Sequence, residues 1–317
     1  MTLLSATGTL ARHWQLETPL SVRLVSRSEN DVFAVDDAAG IRRILRLCRP
    51  GYQSRAGVAS ELAWLADVAR STSVPVAAPI PTRAGAPMAE LVEAGEQRIG
   101  VLFPFIGGAE PAMSAALVPV FRILGDHAAQ LHAHAAGFVR PPGFERPRLT
   151  GRTLLPADGL WGDWRANPDI DAPMRAMLEK AAHRLSETLD AYGEAPDRFG
   201  LIHADMRLGN LLVSGDGVAL IDFDDCGFGY LLYDLAAALS FYETDPLVPQ
   251  LVDAWCDGYA ARRPLPPGTK ILPAMILLRR FALTAWIGSH ADTALARRHR
   301  PGYAAGTVEL AERFLAI

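Results

Sequence analysis

Residues 201–222 read LIHADMRLGNLLVSGDGVALID, and no other stretch limits so tightly what this chain can fold into. Two short runs of β-forming residues, LIHAD and VALIDF, enclose a polar segment, and SGDG at 214–217 is a hairpin turn. His203, Asp205, Asn210 and Asp222 therefore stand at or near strand ends. Each alone has an everyday reading. His203 would brace a loop, Asn210 would sit in a turn, and the carboxylates would be solvated. All of them at fixed spacing between two strands need a common explanation.

The flanking chain supplies a frame. LSVRLVS, DVFAV and IRRILRL predict three strands between Leu20 and Leu47, the last two separated by a turn at 36–40. Glu61, Leu62, Leu65 and Val68 recur at helical spacing, and that helix ends before the proline-bounded segment 75–81. MAELVEA and RIGVLFPF, joined by a turn at Gly95, predict two more strands. The first third is thus an antiparallel sheet with one packed helix. FPFIGG at 103–108 ends the last strand and permits a hinge.

Beyond the hinge helices dominate. In 114–136, Leu117, Phe121, Leu124, Ala128 and Leu131 form an apolar stripe, with Ser114 as N-cap. Residues 172–192 are helical again, and three or four helices finish the chain. Residues 138–170, rich in Pro, Gly and Trp, read as a loop-rich insertion. The expected class is α+β in two parts, 1–105 and 106–317, with the hinge near 103–108.

Charge narrows the function. The net charge is −4, and the basic residues form no stripe, so no nucleic-acid partner is expected. Cys48, Cys226 and Cys256 fit no zinc spacing and suit a reducing compartment. The opening MTLLSATGTLARHW lacks a basic flank before an apolar run, so no leader is expected. The most apolar later stretch, 274–287, is interrupted by Arg279 and Arg280 and reads as a buried helix. A cytoplasmic protein without a membrane partner is expected. Residues 1–105 hold 11 Arg and 10 acidic groups, and the only lysines of the chain are Lys180 and Lys270. Any cation required in the first third must be an arginine.

The pattern His203-x-Asp205, Asn210, Asp222 resembles the catalytic loop and metal segment of the aminoglycoside phosphotransferase and choline kinase superfamily, distant relatives of protein kinases. SRSENDVFAV, ILRLCRPGY, SVPVAAPI, LFPFIGG, the helix ending in LHAH, and IDFDDCGFGYLLYDLA extend the resemblance over nearly the whole chain, most weakly in 138–170. They are most similar to the branch holding bacterial stress-response Ser/Thr kinases and type II homoserine kinases. The resemblance implies a bilobal protein-kinase-like fold, with a small nucleotide-binding N-lobe and a larger, mainly helical C-lobe carrying the catalytic loop and acceptor site.

It also implies roles. ATP and Mg²⁺ are the expected cofactors, and a hydroxyl takes the γ-phosphate. Phosphoryl transfer needs a carboxylate to orient or deprotonate that hydroxyl, and oxygen ligands for the magnesium that neutralises the phosphates. Asp205 fits the first role, braced by His203; Asn210 and Asp222 fit the second. No G-x-G-x-x-G loop precedes the second strand, so backbone amides with Ser28 and Asn30 would cover phosphate. Arg46 stands where such kinases grip phosphate from the third strand, with Glu61 as its orienting partner and Arg43 and Arg49 as rivals. Arginine can bind phosphate oxygens bidentately, so it is chemically suited. Phe103 and Phe105, at the hinge, are expected to contact the nucleotide. Asp234 resembles the family's loop-bracing carboxylate, although capping its own helix explains it equally well. Asp224 and Asp225 could join the metal site, face the acceptor, or be solvated.

The acceptor stays open between a small molecule (amino alcohol, amino acid, sugar or aminoglycoside-like) and a protein Ser/Thr. A small acceptor is expected to be cationic, because Asp224, Asp225, Glu243 and Asp245 follow the metal segment closely. Trp161 and Trp164 are candidate walls of its site, or core. Two other classes compete. A phosphohydrolase using Asp222-Phe-Asp224 leaves His203, Asp205 and Asn210 unexplained. A silent nucleotide-binding module would have lost the base or a metal ligand.

Overall fold

The computed structural model describes residues 4–27, 30–93 and 95–317. The chain divides into two compact units. The first comprises Met1–Gly108, Phe138–Arg146 and Ala219–Asp224; the second comprises Ala109–Gly137, Pro147–Val218 and Asp225–Ile317.

The first unit holds α1 (Leu4–His13), β1 (Ser21–Arg27), β2 (Asn30–Asp36), β3 (Arg42–Cys48), α2 (Arg55–Ser71), β4 (Ala89–Glu93) and β5 (Glu96–Pro104). Its strands form one antiparallel sheet in the order β1-β2-β3-β5-β4. Strand alternation decides what each face carries. Phe33, Val35, Leu45, Leu47, Leu91 and Leu102 pack with Leu10 of α1 and with Trp14, which follows it. Cys48, Met88 and Val101 pack with Val58 and Leu62 of α2. Arg46 alternates with Leu45 and Leu47, so it shares the α2 face.

One packed helix was expected and two are present. The opening segment coils into α1 and closes the sheet's second face, where Leu10 and Trp14 are fully buried. Burying a side chain of Leu10's size contributes roughly 1.5–3 kcal/mol, and the Trp14 indole nitrogen donates to the Ile80 carbonyl at 3.0 Å. α2 starts at Ser54, whose hydroxyl accepts from the Gly57 amide at 2.9 Å.

The second unit carries α3 (Leu117–Gly137), β6 (Arg148–Leu149), α4 (Gly151–Leu154), α5 (Ala172–Tyr192), β7 (Phe199–Ile202), β8 (Leu211–Ser214), β10 (Gly227–Tyr230), α6 (Tyr233–Ala238), α7 (Val248–Arg262), α8 (Leu272–Ser289), α9 (Ala294–His299) and α10 (Tyr303–Leu315). Strand β9 (Gly217–Leu220) forms a hairpin with β8 and carries the chain from this unit into the first. β10 pairs antiparallel with β7 and parallel with β6. α3 and α7 approach backbone to backbone: a Cβ on Gly258 would run into the Arg122 carbonyl, and one on Gly125 into that of Trp255.

Two expectations need correction here. Ser114 does not cap α3, because its hydroxyl turns back to the Ala112 carbonyl at 3.4 Å while its carbonyl accepts from the Leu117 amide. Segment 138–170 is not one loop: 138–146 belongs to the first unit, and the rest forms β6, α4 and a short turn around the fully buried Trp164. Thr269–Ser289 is long and apolar enough to cross a membrane, yet 72% of its most apolar 18 residues are buried in the fold. It is a core helix of the second unit.

Candidate active site

In the second unit, β7 ends at Ile202 and β8 begins at Leu211, and the loop between them carries the polar set. Ala204 adopts φ +69°, a conformation unusual for a residue with a side chain. Asp234 holds it there. The Asp234 Oδ1 accepts from the Ala204 amide at 2.6 Å, and Oδ2 accepts from the His203 amide at 3.2 Å. Asp234 lies within α6, whose cap position is Leu232, so it braces the loop and does not cap its helix. His132 Nε2 lies 2.9 Å from Asp234 Oδ2, and its Nδ1 lies 3.0 Å from the Tyr259 hydroxyl. An ionised carboxylate can only accept, so His132 Nε2 is the donor to Asp234. All of these side chains are buried. The close α3–α7 contact thus sets the loop's backbone through His132 and Tyr259.

Asp205 is 8% exposed and heavily coordinated. Its Oδ2 accepts from Asn210 Nδ2 at 2.6 Å and from Arg207 Nε at 3.2 Å, and its Oδ1 accepts from Arg279 Nη2. Its amide donates to His203 Nδ1 at 3.3 Å, which places His203 as a brace. Burial alone would raise the Asp205 pKa. The nearby Arg279 and Arg207 guanidinium groups and His203 outweigh it, so the carboxyl sits below its usual value. Asn210 Nδ2 also donates to the Asp205 carbonyl at 2.9 Å. Its nitrogen is committed to Asp205, and its amide oxygen is the atom left for a cation.

The first unit assembles a second group. Arg46 on β3 donates from Nη1 and Nη2 to Glu61 Oε1 and Oε2 of α2, at 2.8 and 2.7 Å. Burial opposes the Arg46 charge, but Glu61 more than compensates and raises its pKa. Asp222 Oδ1 lies 4.0 Å from Arg46 Nη1 with its side chain 40% exposed, at φ +67°, which Asp tolerates better than most residues. The rivals are elsewhere: Arg43 pairs with Asp37 at 2.6 Å, and Arg49 is exposed.

Other candidates divide. Asn30 is not free to cover phosphate, because its Nδ2 donates to Asp224 Oδ2 at 2.7 Å and its Oδ1 accepts from the Arg49 amide. Asp224 is a buried clamp of the first unit, its carbonyl also taken by Gln53 and Arg146. That arrangement does not supply the acid of a hydrolase motif. Phe103 packs at the α2 face with the Arg46 guanidinium 5.5 Å from its ring centre, whereas Phe105 is exposed beside Arg42. Ser28 lies outside the described residues.

Of the carboxylates read as attracting a cation, Glu243 is buried against Arg280 at 2.5 Å and the Tyr303 hydroxyl at 3.1 Å, and Asp245 accepts from the Leu247 amide. Both are structural. Asp225 is half-buried and lies within electrostatic reach of Arg279 and Tyr233. Trp164 is core, and Trp161 is half-buried under the Arg279 guanidinium.

Sequence reasoning did not single out Arg279, Arg207, His132 or Arg146 for the site. Arg279 had a signal. An arginine inside an apolar, buried helix requires a buried partner, and that partner is Asp205.

The chain is similar in sequence and fold to known proteins. Residues 21–265 match the profile of the phosphotransferase enzyme family. A microcompartment-associated aminopropanol kinase of known structure is 37% identical, with a TM-score of 0.88 over 99% of this chain and 98% of its own. A homoserine kinase of Pseudomonas aeruginosa (strain LESB58) is 34% identical over 145 residues, 44% of this chain and 43% of that protein. An amicoumacin kinase solved with AMP-PNP and Ca²⁺ shares the fold at 18% identity, with a TM-score of 0.75 over 97% of this chain and 94% of its own.

Proposed function

Since the chain belongs to the phosphotransferase enzyme family and is a kinase, we propose that it transfers the γ-phosphoryl group of Mg·ATP to the hydroxyl of a small amino alcohol. Whole-length similarity to an aminopropanol kinase is the observation that carries the acceptor class.

The residues divide the work by chemistry. Arg46, fixed by Glu61, meets a nucleotide phosphate with a permanently charged group. Asp205 accepts the hydrogen bond of the acceptor hydroxyl. As the hydroxyl oxygen bonds to the γ-phosphorus, the bridge to the β-phosphate breaks, ADP leaves, and the hydroxyl proton passes to Asp205. A carboxylate of lowered pKa is a weak base, so its main task is orientation until late in a loose transition state.

Asn210 and Asp222 each offer an oxygen of the kind that magnesium takes. Few protein ligands suit that ion, which keeps waters and substrate phosphates in its shell, and among the described residues no cluster of three or more His, Cys, Asp or Glu forms a cage. Bound there, the ion would neutralise charge on the nucleotide phosphates. Asp225 is the carboxylate assigned to the acceptor's ammonium group.

An ADP-release assay over aminopropanol, homoserine, choline, an aminoglycoside, propanediol and a generic protein tests the acceptor. Aminopropanol or a near analogue should give the highest kcat/KM, at least ~10-fold above propanediol. Equal turnover of the uncharged diol, or preference for protein, would contradict the amino-alcohol reading.

A further inference from the structure

We propose that Arg279 is the positioning residue of the catalytic base: it fixes the Asp205 carboxylate in one orientation and leaves one defined place for the acceptor hydroxyl. This rests on the reading of Asp205 as the group that meets the acceptor. Arg279 sits mid-way along α8 and is 2% exposed. Its guanidinium reaches three places in the same unit. Nε donates to the Ser240 hydroxyl at 2.8 Å, Nη1 to the Ala204 carbonyl at 3.4 Å, and Nη2 to Asp205 Oδ1. The rings of Trp161 and Tyr233 lie 5.2 and 6.0 Å from its central carbon. A planar group anchored by three bonds and flanked by two rings has little freedom to turn.

The neighbouring arginine shows that this is not simply how α8 buries charge. Arg280 is equally buried but is satisfied by Glu243, Thr307 and the Tyr303 carbonyl, none of which touches the loop. Among the described residues only Arg279 joins α8 to both the backbone and the carboxylate of the catalytic loop. A lysine could supply the charge but could not span Ser240, Ala204 and Asp205 with one rigid plane.

Hydrogen-bond capacity then specifies the hydroxyl's place. An ionised carboxylate offers about four acceptor positions. Arg207 and Asn210 occupy Oδ2, and Arg279 occupies one position of Oδ1. The remaining position is on Oδ1, beside Arg279. Without Arg279 either the carboxylate turns or the hydroxyl gains a second site, and the reacting oxygen loses its alignment.

A kinetic double-mutant cycle tests this, using whichever hydroxyl acceptor the wild type turns over best, so that a different acceptor class leaves the test intact. Arg279→Met should lower kcat by about 100-fold, the scale of a misplacement of about 1 Å, with the Kd for Mg·ATP and the acceptor KM changed less than about threefold. Arg279→Lys should restore part of the loss. In an Asp205→Asn background, Arg279→Met should change the residual rate by less than about threefold, because its effect runs through that carboxylate. A kcat within about threefold of wild type, or an equal loss in both backgrounds, overturns the proposal. Should Arg279→Met not fold, Ser240→Ala removes one anchor and should lower kcat by about fivefold with KM unchanged; an unchanged kcat there overturns it as well.

Discussion

Arg46 and Glu61 form a two-pronged ion pair at 2.8 and 2.7 Å, with side chains 7% and 0% exposed. Removing one buried partner leaves the other unpaired, which typically costs about 3–5 kcal/mol. Arg46→Ala should therefore lower the denaturation midpoint and raise the KM for ATP. Arg46→Lys should keep partial activity, and Arg43→Ala and Arg49→Ala should resemble wild type. A wild-type KM for ATP in Arg46→Ala would move the phosphate contact to another residue.

Asp222→Ala should weaken nucleotide binding only when magnesium is present. Calorimetric titrations with and without magnesium should differ in wild type and converge in the variant. A variant that keeps the full magnesium effect would show that Asp222 is not a ligand.

The sheet and the loop were legible in the sequence for different reasons. Strands β2, β3 and β5 announce themselves through their β-forming runs, and the absence of lysine from the first third leaves arginine as the cation there, with Arg46 singled out by the resemblance. Asp205 and Asn210 stood out through spacing. What stayed hidden depends on contacts between distant segments. Asn30 and Asp224 are 194 residues apart, and each consumes the other. Arg279 reaches Asp205 across 74 residues, and His132 reaches Asp234 across 102. No local pattern encodes such pairs. α1 was missed because its stretch was weighed only as a leader.

Asp234→Ala would strip the acceptor from the His203 and Ala204 amides and from His132 Nε2. Buried donors left unsatisfied cost about 1–3 kcal/mol each, so the variant should lose several kcal/mol in urea denaturation and most of its turnover. Gly258→Ala, which forces α3 away from α7, should also destabilise the protein. Wild-type stability in Asp234→Ala would mean that the loop's left-handed turn needs no brace.

His299 stacks on Phe241 at 4.2 Å, and its pKa is held down to about 4 from 6.5, by burial first and then by the charges of Arg298 and Arg207. The folded value lies below the unfolded one, so the unfolded chain takes the proton first. Stability is therefore unaffected by this group above about pH 6.5 and declines as pH falls toward about 4. The Tm of wild type should drop more between about pH 7 and pH 5 than that of His299→Gln. Parallel Tm curves would place the acid sensitivity elsewhere.

The most direct measurement is ³¹P NMR of the reaction of the purified chain with ATP, magnesium and aminopropanol. One phosphomonoester should form for each ADP released, with little inorganic phosphate, and Asp205→Asn should form almost none while still binding Mg·ATP. ADP accompanied only by inorganic phosphate, or full ester formation by Asp205→Asn, would contradict the account.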